Sequence, residues 1–560
     1  MTNYQFTGGT ICAPATIPGT GAISIIRVSG KESLAIADKV IDTKGVPIAE
    51  TEGYRLRYGT VFESDGSVLD NVIVSVFRAP HSYTGEDSVE VSCHASRFIV
   101  NKILELLVNA GARIAAPGEF TRRAFVNGKM DLAQAEAVAD VIASQSAASH
   151  RVAMNQLKGG FSSELKVLRE KLLTMTSLLE LELDFSEEDV EFASRKELGQ
   201  LVDDSLTHIG RLTASFSRGN AIKNGVPVAI VGATNTGKST LLNALLGEER
   251  AIVSDIAGTT RDTIEETLNI DGILFRFIDT AGIRETDETI EKIGIDRTFK
   301  KLGEASVVLG MTDLSRGEAA VLEDADFILS KVNEMGGVKN DGTENDGAET
   351  GVAPLAGTDG ASLAETGGAS PAETDGAPLV ETGVASQHGH GAGQERKVVI
   401  LVNKCDVAGD FYRNDNGTGY GSGNDLGENM AEIGGNKNVN RDNNIVSFIE
   451  NKYDNCKVIP ISAKTGKGLS TLTKTLGEIG SEITGSTDET LVTNVRHYEA
   501  LVRAASALER VRAGLHIATL PPDLIAQDLR EALYHLGEIV GEISTDETLG
   551  NIFRNFCIGK

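Results

Sequence analysis

Lys238 and Ser239 close the run GATNTGKS (232–239), which fits the pattern G-x-x-x-x-G-K-[ST]. An apolar run at 226–231 precedes it, and 239–246 carries the apolar spacing of a helix. Strand, glycine loop and helix in that order make a phosphate cradle. The glycines let successive backbone N–H groups converge on phosphate oxygens, and the helix N-terminus adds partial positive charge. In such a loop Lys238 reaches the β- and γ-phosphates, and Ser239 ligates Mg²⁺. Asn235, Thr236, Gly237 and Thr240 complete the expected nucleotide contacts. A glycine-containing turn in an unrelated α/β unit is the competing reading, and the strand and helix in register count against it.

Four further clusters follow at the right distances. The run SDIAGTTRD (254–262) offers Thr260 to close over a γ-phosphate and give Mg²⁺ a second protein oxygen. Alone that run is weak, because Gly-Thr-Thr also suits an ordinary turn. The apolar strand expected at 273–278 ends in DTAG (279–282), where Asp279 can hold Mg²⁺ directly or through water. A free N–H at Gly282 can sense the γ-phosphate. The strand expected at 398–402 ends in NKCD (403–406). The Asp406 carboxylate can accept from both N1–H and the exocyclic amine of guanine. Adenine lacks that donor pair, and a buried acceptor left unpaired costs about 1–3 kcal/mol. Asn403 and Lys404 belong to the same motif, and Ser462, Ala463 and Lys464 complete the base pocket. The ordered set predicts guanine nucleotide (GTP/GDP) binding. The residue after the DTAG glycine is Ile283 rather than a water-orienting Gln. From the residues alone, Glu291, Arg284 or a group from a second molecule stands as candidate to position water.

The chain has 560 residues, which implies three or four domains. Five cysteines (Cys12, Cys93, Cys405, Cys456 and Cys557) are scattered without metal-ligand spacing, so a reducing compartment is expected. With neither a secretory leader pattern nor an apolar run long enough to cross a bilayer, the expectation is a cytoplasmic protein with no membrane partner. A formal charge of −27 argues against a large non-specific nucleic-acid footprint, yet leaves room for a local basic groove or a basic partner.

The elements that must position these residues sort into a multidomain α/β plus α architecture. Residues 1–128 read as a compact α/β domain, with short β-rich runs at 22–28, 72–77 and 89–92 and a helix near 98–108. From 129 to 222 the pattern is helical: Leu132, Ala135, Val138, Val141 and Ile142, then Leu172, Met175, Leu178, Leu179 and Leu183, recur at helical steps. The acidic run DFSEED (184–189) marks a helix end and a new start. A Ras-like P-loop domain with a mostly parallel sheet occupies 223–487, and helices return at 488–560. Helical segments on both sides suggest that the nucleotide unit is inserted into a helical domain.

Two biased segments interrupt the nucleotide domain, at about 316–395 and 409–446 by composition. The first holds an imperfect eight-residue repeat at 349–386 built from Gly, Ala, Thr, Pro and acids, which cannot bury enough surface to order itself. Lengthening a flexible loop eightfold adds only about 2 kcal/mol of closure cost, so a sheet tolerates both. His388 and His390 there read as solvated linker residues before they read as metal ligands.

The motif order resembles the MnmE (TrmE) family of tRNA-uridine-modification GTPases over nearly the whole length apart from the two inserts. Outside the nucleotide motifs the resemblance rests on the terminal FCIGK (556–560), on PGTGAISIIRVSG (18–30), on YTGED (83–87), and on PGEFTRRAF (117–125) with KMDLAQAE (129–136). The resemblance implies an N-terminal domain that binds a tetrahydrofolate derivative and forms a homodimer. It also implies a helical domain and a G domain that pairs across its nucleotide face. With an FAD-containing partner protein, in a heterotetramer, such enzymes install a carboxymethylaminomethyl-type group on the wobble uridine of tRNA. Matched positions place folate contacts on Arg27, Glu90, Lys129 and Lys560. They place a K⁺ ion, in the role of an arginine finger, on Asn235, Ser254, Ile256 and Thr259. Glu291 matches the family's water-orienting glutamate, Lys238 its catalytic phosphate-loop lysine, and Cys557 the terminal cysteine, a candidate nucleophile. Two departures stand out: Thr234 replaces a usual Pro, and His94-Ala95-Ser96 replaces His-Gly-Gly. A GTP-dependent switch in ribosome assembly is the alternative function, against which stands the lack of a basic RNA-binding appendage. A folate-binding or scaffold protein with a degenerate G domain is a third, opposed by intact Lys238, Asp279 and Asp406.

Overall fold

The computed structural model describes residues 8–184, 194–249, 266–278, 303, 305–334, 396–406, 445–453, 456–485, 489–516, 521–543, 545–554, 556 and 559. Its contacts divide the chain into two units. One comprises Met1–Val226, Thr267–Arg276 and Thr473–Lys560; the other comprises Pro227–Glu266 and Phe277–Leu472.

The first unit opens with strands β1 (Ile11–Pro14), β2 (Ile23–Ser29), β3 (Ile41–Asp42), β4 (Arg55–Phe62), β5 (Val68–Phe77), β6 (Ser88–His94) and β7 (Arg113–Ile114). They form one sheet in the order β3-β4-β5-β6-β2-β1-β7, antiparallel except where β1 and β7 run parallel. Alternation explains why one face is covered: on β5, Val72, Val74 and Val76 are buried while Ile73 is exposed. Helices α1 (Ser33–Val40) and α2 (Arg97–Asn109) supply Leu34, Ile36, Ile103 and Leu107 to that face. Ala95, where the family pattern has Gly, is buried, and its carbonyl accepts from the Gly21 N–H at 3.3 Å. The turn therefore accommodates a side chain.

Next come α3 (Glu119–Val126), α4 (Leu132–Ala143), α5 (Ala147–Leu157), α6 (Gly160–Asp184), α7 (Arg195–Ala214) and α8 (Phe216–Asn224). Capping boxes at Asp131 with Gln134 and at Ser146 with Ser149 fix two of the starts. The Ser194 hydroxyl accepts from the Glu197 N–H and starts α7, ten residues beyond the end of α6. Leu132, Ala135, Val138, Leu172 and Leu179 are buried, whereas Ile142 is exposed, because the helical stripe turns away from the core near the end of α4.

The second unit holds most of a six-stranded sheet made of β8 (Val226–Gly232), β9 (Glu266–Ile270), β10 (Ile273–Ile278), β11 (Val307–Asp313), β12 (Lys397–Asn403) and β13 (Cys456–Pro460). Strand order is β13-β12-β11-β8-β10-β9, with β13, β12, β11 and β8 mutually parallel. The central strands read as continuous apolar runs because both faces are covered; all seven residues of β11 are buried. Gly310 sits in its middle, where a Cβ would approach Ile400 Cδ1 to 2.6 Å. Asp271 and Gly272, both at positive φ, make the two-residue turn between β9 and β10.

Helices α9 (Lys238–Glu249), α10 (Glu318–Glu334), α11 (Ile445–Lys452) and α12 (Leu469–Thr484) accompany the sheet strands. Composition placed the first insert from about 316, but 318–334 is a helix. It buries Val321, Ala325, Ile328, Leu329 and Val332 at three- and four-residue steps against β11 and β12. Ile445 and Val446, assigned to the second insert, begin α11. The repeat, His388 and His390 lie outside the described residues.

The chain ends in the first unit with α13 (Val495–Leu515), α14 (Pro522–Val540) and α15 (Asp546–Arg554). Leu501, Ala504, Leu508 and Val511 of α13 meet Leu529, Leu536 and Ile539 of α14, all fully buried. Each buried Leu or Ile contributes about 1.5–3 kcal/mol. No helix among the described residues is long and apolar enough to cross a membrane.

One polar cluster ties α4 to α13. Glu136 is buried and receives Arg496 Nε at 2.9 Å, Arg496 Nη2 at 3.1 Å and His497 Nε2 at 2.7 Å. Arg496 also donates to the Glu538 and Ile539 carbonyls at the end of α14, at 2.7 and 3.1 Å. Burial works against the charged carboxylate, but His497 and then Arg496 outweigh it and hold the carboxyl at about 2. A depressed carboxyl stabilises the fold above its unfolded value of 4.5, and that contribution is lost as pH falls toward 2. Glu136→Gln takes the carboxylate away from half-buried Arg496 and buried His497, so a loss of about 2 kcal/mol is expected in denaturant unfolding at pH 7. The variant's stability should also fall less steeply than that of the native chain between pH 4.5 and 2; parallel acid profiles would refute the assignment.

Candidate nucleotide-binding site

The phosphate loop follows β8, whose first six residues are buried. Gly232 ends the strand at φ 153°, and a Cβ there would lie 2.3 Å from the Met311 carbonyl oxygen of β11. Only glycine lets the loop leave the sheet so close to its neighbour. Asn235 adopts the left-handed region at φ 61°, which Asn tolerates better than most residues. Its side chain is exposed, as is that of Thr234, so the missing proline leaves an ordinary surface position. Gly237, at φ 99°, lies where a Cβ would meet Asn403 Nδ2 at 2.4 Å.

Helix α9 begins at once, with the Leu241 N–H bonded to the Gly237 carbonyl. A helix start leaves its first N–H groups without intrahelical acceptors and carries partial positive charge. Lys238 Nζ lies against the loop and donates to the Gly232 and Ala233 carbonyls at 2.9 and 2.8 Å. Burial lowers its pKa from the usual 10.5. The Thr236 hydroxyl, fully buried, donates to the Ala233 carbonyl at 2.9 Å. Ser239 and Thr240 occupy the first turn of α9, Ser239 half-buried and Thr240 exposed.

Asn403, at the end of β12, connects this loop to the base side. Its Nδ2 donates to the Thr236 carbonyl at 2.7 Å, and its Oδ1 accepts from the Ala463 N–H at 3.0 Å. Both ends of the amide are used within the protein, so Asn403 braces two loops. Ser462 and Ala463 are buried in a tight turn: the Ser462 N–H reaches the Lys467 carbonyl at 2.9 Å, and its Oγ accepts from the Thr465 N–H at 3.3 Å. Lys464 points outward. Lys404 takes φ 64°, and its Nζ sits 2.6 Å from Asp313 Oδ2. Asp406 is exposed; a hydrogen bond with Ser462 comes first among the causes that hold its carboxyl below the usual range, with Lys464 and Lys467 adding to it.

Phosphate loop, 403–406 turn and 462–464 turn thus meet at the ends of parallel strands, where α/β sheets bind ligands. The remaining predicted residues, Ser254, Ile256, Thr259, Thr260, Asp279, Gly282 and Glu291, lie outside the described residues. Asp313 was not anticipated. Its signal was faint: an acidic residue ending an apolar strand just before a turn.

A second cluster sits in the N-terminal sheet. Arg27 and Glu90 are cross-strand partners on β2 and β6. Arg27 Nε donates to Glu90 Oε1 at 2.9 Å, and its guanidinium lies 5.0 Å from the Tyr83 ring centre and 5.6 Å from that of Phe120. Arg27 Nη1 donates to the Gly559 carbonyl at 3.3 Å. Gly559, at φ 98°, fits where a Cβ would come within 2.1 Å of the Pro14 carbonyl oxygen. Lys129, exposed, donates to the Pro80 carbonyl at 2.9 Å. Cys557 and Lys560 lie outside the described residues. Phe120 gave no advance signal beyond its place in the PGEFTRRAF run. The thiols of Cys12, Cys93, Cys405 and Cys456 are unoxidised, and burial pushes each up to about 11, so none is activated as a nucleophile.

Comparison with known proteins gives the family. The model of the GTP-binding protein TrmE N-terminus matches residues 10–129, and that of the MnmE helical domain matches 132–557. A tRNA modification GTPase MnmE from Parabacteroides distasonis is 44% identical over 554 residues, covering 98% of this chain and 100% of the relative. The protein of the same name from Flavobacterium johnsoniae is 43% identical over 552 residues, 98% of this chain and 99% of the relative. That from Porphyromonas gingivalis is 41% identical over 562 residues, 100% of this chain and 99% of the relative. A crystal structure of a GTP-binding protein from Sulfolobus solfataricus in complex with GDP aligns with 57% of this chain and 67% of its own, at 15% identity. The TM-score of that alignment is 0.24. Family models over most of the length and relatives above 40% identity over nearly all of it make the chain a member of the MnmE (TrmE) family of tRNA modification GTPases.

Proposed function

We propose that this chain hydrolyses GTP to drive modification of the wobble uridine of tRNA. The observation that carries the proposal is the Asn403 amide, which joins a lysine-bearing phosphate loop to the turn that offers Asp406 and Ser462. Lys238 holds its ammonium on two loop carbonyls, and phosphate oxygens are stronger acceptors for the same donors. The N–H groups at the start of α9 add directed positive charge where the β- and γ-phosphates lie. Asp406 accepts from guanine N1–H and the exocyclic amine, and the 462–464 turn closes the other side of the base.

Ser239, an oxygen donor in the first helical turn, suits Mg²⁺, and Thr260 is the second matched ligand; the ion neutralises charge on the phosphates. Asn235 exposes its amide from a left-handed turn, and its side-chain oxygen can serve as a ligand for a monovalent cation. With Ser254, Ile256 and Thr259 it would hold K⁺, which supplies charge for the developing transition state. Glu291 orients the attacking water in place of the absent Gln.

The N-terminal cluster supports the folate reading. A guanidinium near two aromatic rings, paired with a carboxylate, suits a flat heteroaromatic ring carrying donors and acceptors. Arg27, Glu90, Lys129 and Lys560 would hold the folate derivative, which donates the one-carbon unit. A homodimer working with an FAD-containing partner in a heterotetramer, and reaching tRNA through that complex, completes the proposal. The expected compartment is cytoplasmic.

Lys238→Ala should lower GTP turnover by about a hundredfold or more, read as phosphate release; a rate within twofold of native would exclude Lys238 from the reaction. Asp406→Asn turns an acceptor into a donor, so preference should move from GTP toward xanthosine triphosphate by about tenfold to a hundredfold. An unchanged GTP preference would remove Asp406 from base reading. Turnover should be about tenfold faster in K⁺ than in Na⁺ at equal ionic strength, and equal rates would end the potassium assignment.

A further inference from the structure

Asp313 is the last residue of β11, only 5% exposed, and pairs in register with Asn403 of β12. Its Oδ2 accepts from Lys404 Nζ at 2.6 Å. Its Oδ1 accepts from the Ser315 N–H at 2.9 Å and from the Ser315 hydroxyl at 2.6 Å. A carboxylate this enclosed persists only when its lone pairs are used, and three donors use them. Burial opposes the charge, yet the bonds from Lys404 and Ser315 prevail and hold the carboxyl below its usual range.

At the other end of that bond is a strained residue. Lys404 adopts φ 64°, a left-handed conformation unfavourable for a residue with a side chain. Lys404 connects the buried brace Asn403 to Cys405, whose N–H is fastened to the Ile461 carbonyl at 3.2 Å. Asp406 comes next, bonded to Ser462. Every member of the 403–406 turn is thus anchored, and the anchor for Lys404 is Asp313.

We infer that Asp313 is a positioning residue for guanine recognition: its ion pair with Lys404 holds the 403–406 turn in the one backbone conformation that aims Asp406 at the base edge. The inference rests on the reading that Asp406 accepts from guanine. Losing a well-aimed hydrogen bond to a charged group weakens recognition by roughly tenfold to a hundredfold, so a buried carboxylate acting through Lys404 can set nucleotide affinity.

Equilibrium binding of a fluorescent GDP analogue to the full chain, with GTP turnover measured in parallel, tests this. Asp313→Asn keeps an acceptor for the Ser315 N–H but removes the charge that holds Lys404. The dissociation constant and KM should both rise by about tenfold, with kcat at saturating GTP within about twofold of native. Asp313→Glu, which restores the charge, should recover part of the loss. Combined with Lys404→Met, the effect should be no larger than that of the worse single change, because both remove one interaction. An unchanged dissociation constant in Asp313→Asn, while Lys404→Met weakens binding, overturns the inference and spares the guanine reading. Unchanged binding in both Lys404→Met and Asp406→Asn removes the guanine reading itself. A lower melting temperature with native affinity would mark Asp313 as merely structural and also overturn the inference. Should Asp313→Asn fail to fold, Ser315→Ala frees one side of the carboxylate and should raise the dissociation constant about twofold; native affinity there counts against the proposal.

Discussion

The hydrogen bonds made by the Asn403 side chain are the constraint on which the nucleotide site depends. One amide group spans from the Thr236 carbonyl to the Ala463 N–H, so the phosphate loop and the base-side turn cannot move independently. Asn403 is 3% exposed, and a buried amide that lost either partner would carry an unmet donor or acceptor. The geometry also needs two glycines. Gly237 leaves room for the amide itself, and Gly232 lets the loop turn away beside Met311. Loop, brace and sheet are one arrangement, because a methyl group at either glycine would collide with backbone or with the brace.

Lys238 and Lys404 show two uses of ammonium groups within one site. Lys238 rests on loop carbonyls, neutral acceptors that bind an ammonium less strongly than an anion does. Lys404 is bound to a buried carboxylate whose other partner among the described residues, Ser315, is neutral, and separating that pair would leave Asp313 charged in a dry place. The first lysine is placed to exchange partners and the second to stay fixed. In the other unit, Arg27 resembles the second kind, held by Glu90 while its face lies against Tyr83 and Phe120.

The first unit owes its coherence to contacts between chain segments far apart in sequence. Glu136 and Arg496 are separated by 360 positions, and Arg27 and Gly559 by 532. Helices α13 and α14, after the nucleotide domain, pack their apolar stripes with those of α6 and α7, before it, in one core. That is the physical content of an inserted domain: the helical core closes only when the chain returns. Gly559, fitted against Pro14 without room for a side chain, carries the same closure to the C-terminal segment.

Sequence alone determined what depends on local pattern. Apolar runs gave β8, β10 and β12, helical periodicity gave α4, α6, α13 and α14, and the glycine-rich run gave the tight loop between β8 and α9, because period and glycine placement are properties of neighbouring residues. The same periodicity was present at 318–334 but was outweighed by the biased composition beside it. Tertiary structure decided which residue meets which. Asn403 faces Thr236 across 167 positions and Lys404 meets Asp313 across 91. Both meetings exist because β11 lies between β8 and β12 in the sheet. Strand order follows from packing over the whole domain, and no run of neighbouring residues encodes it.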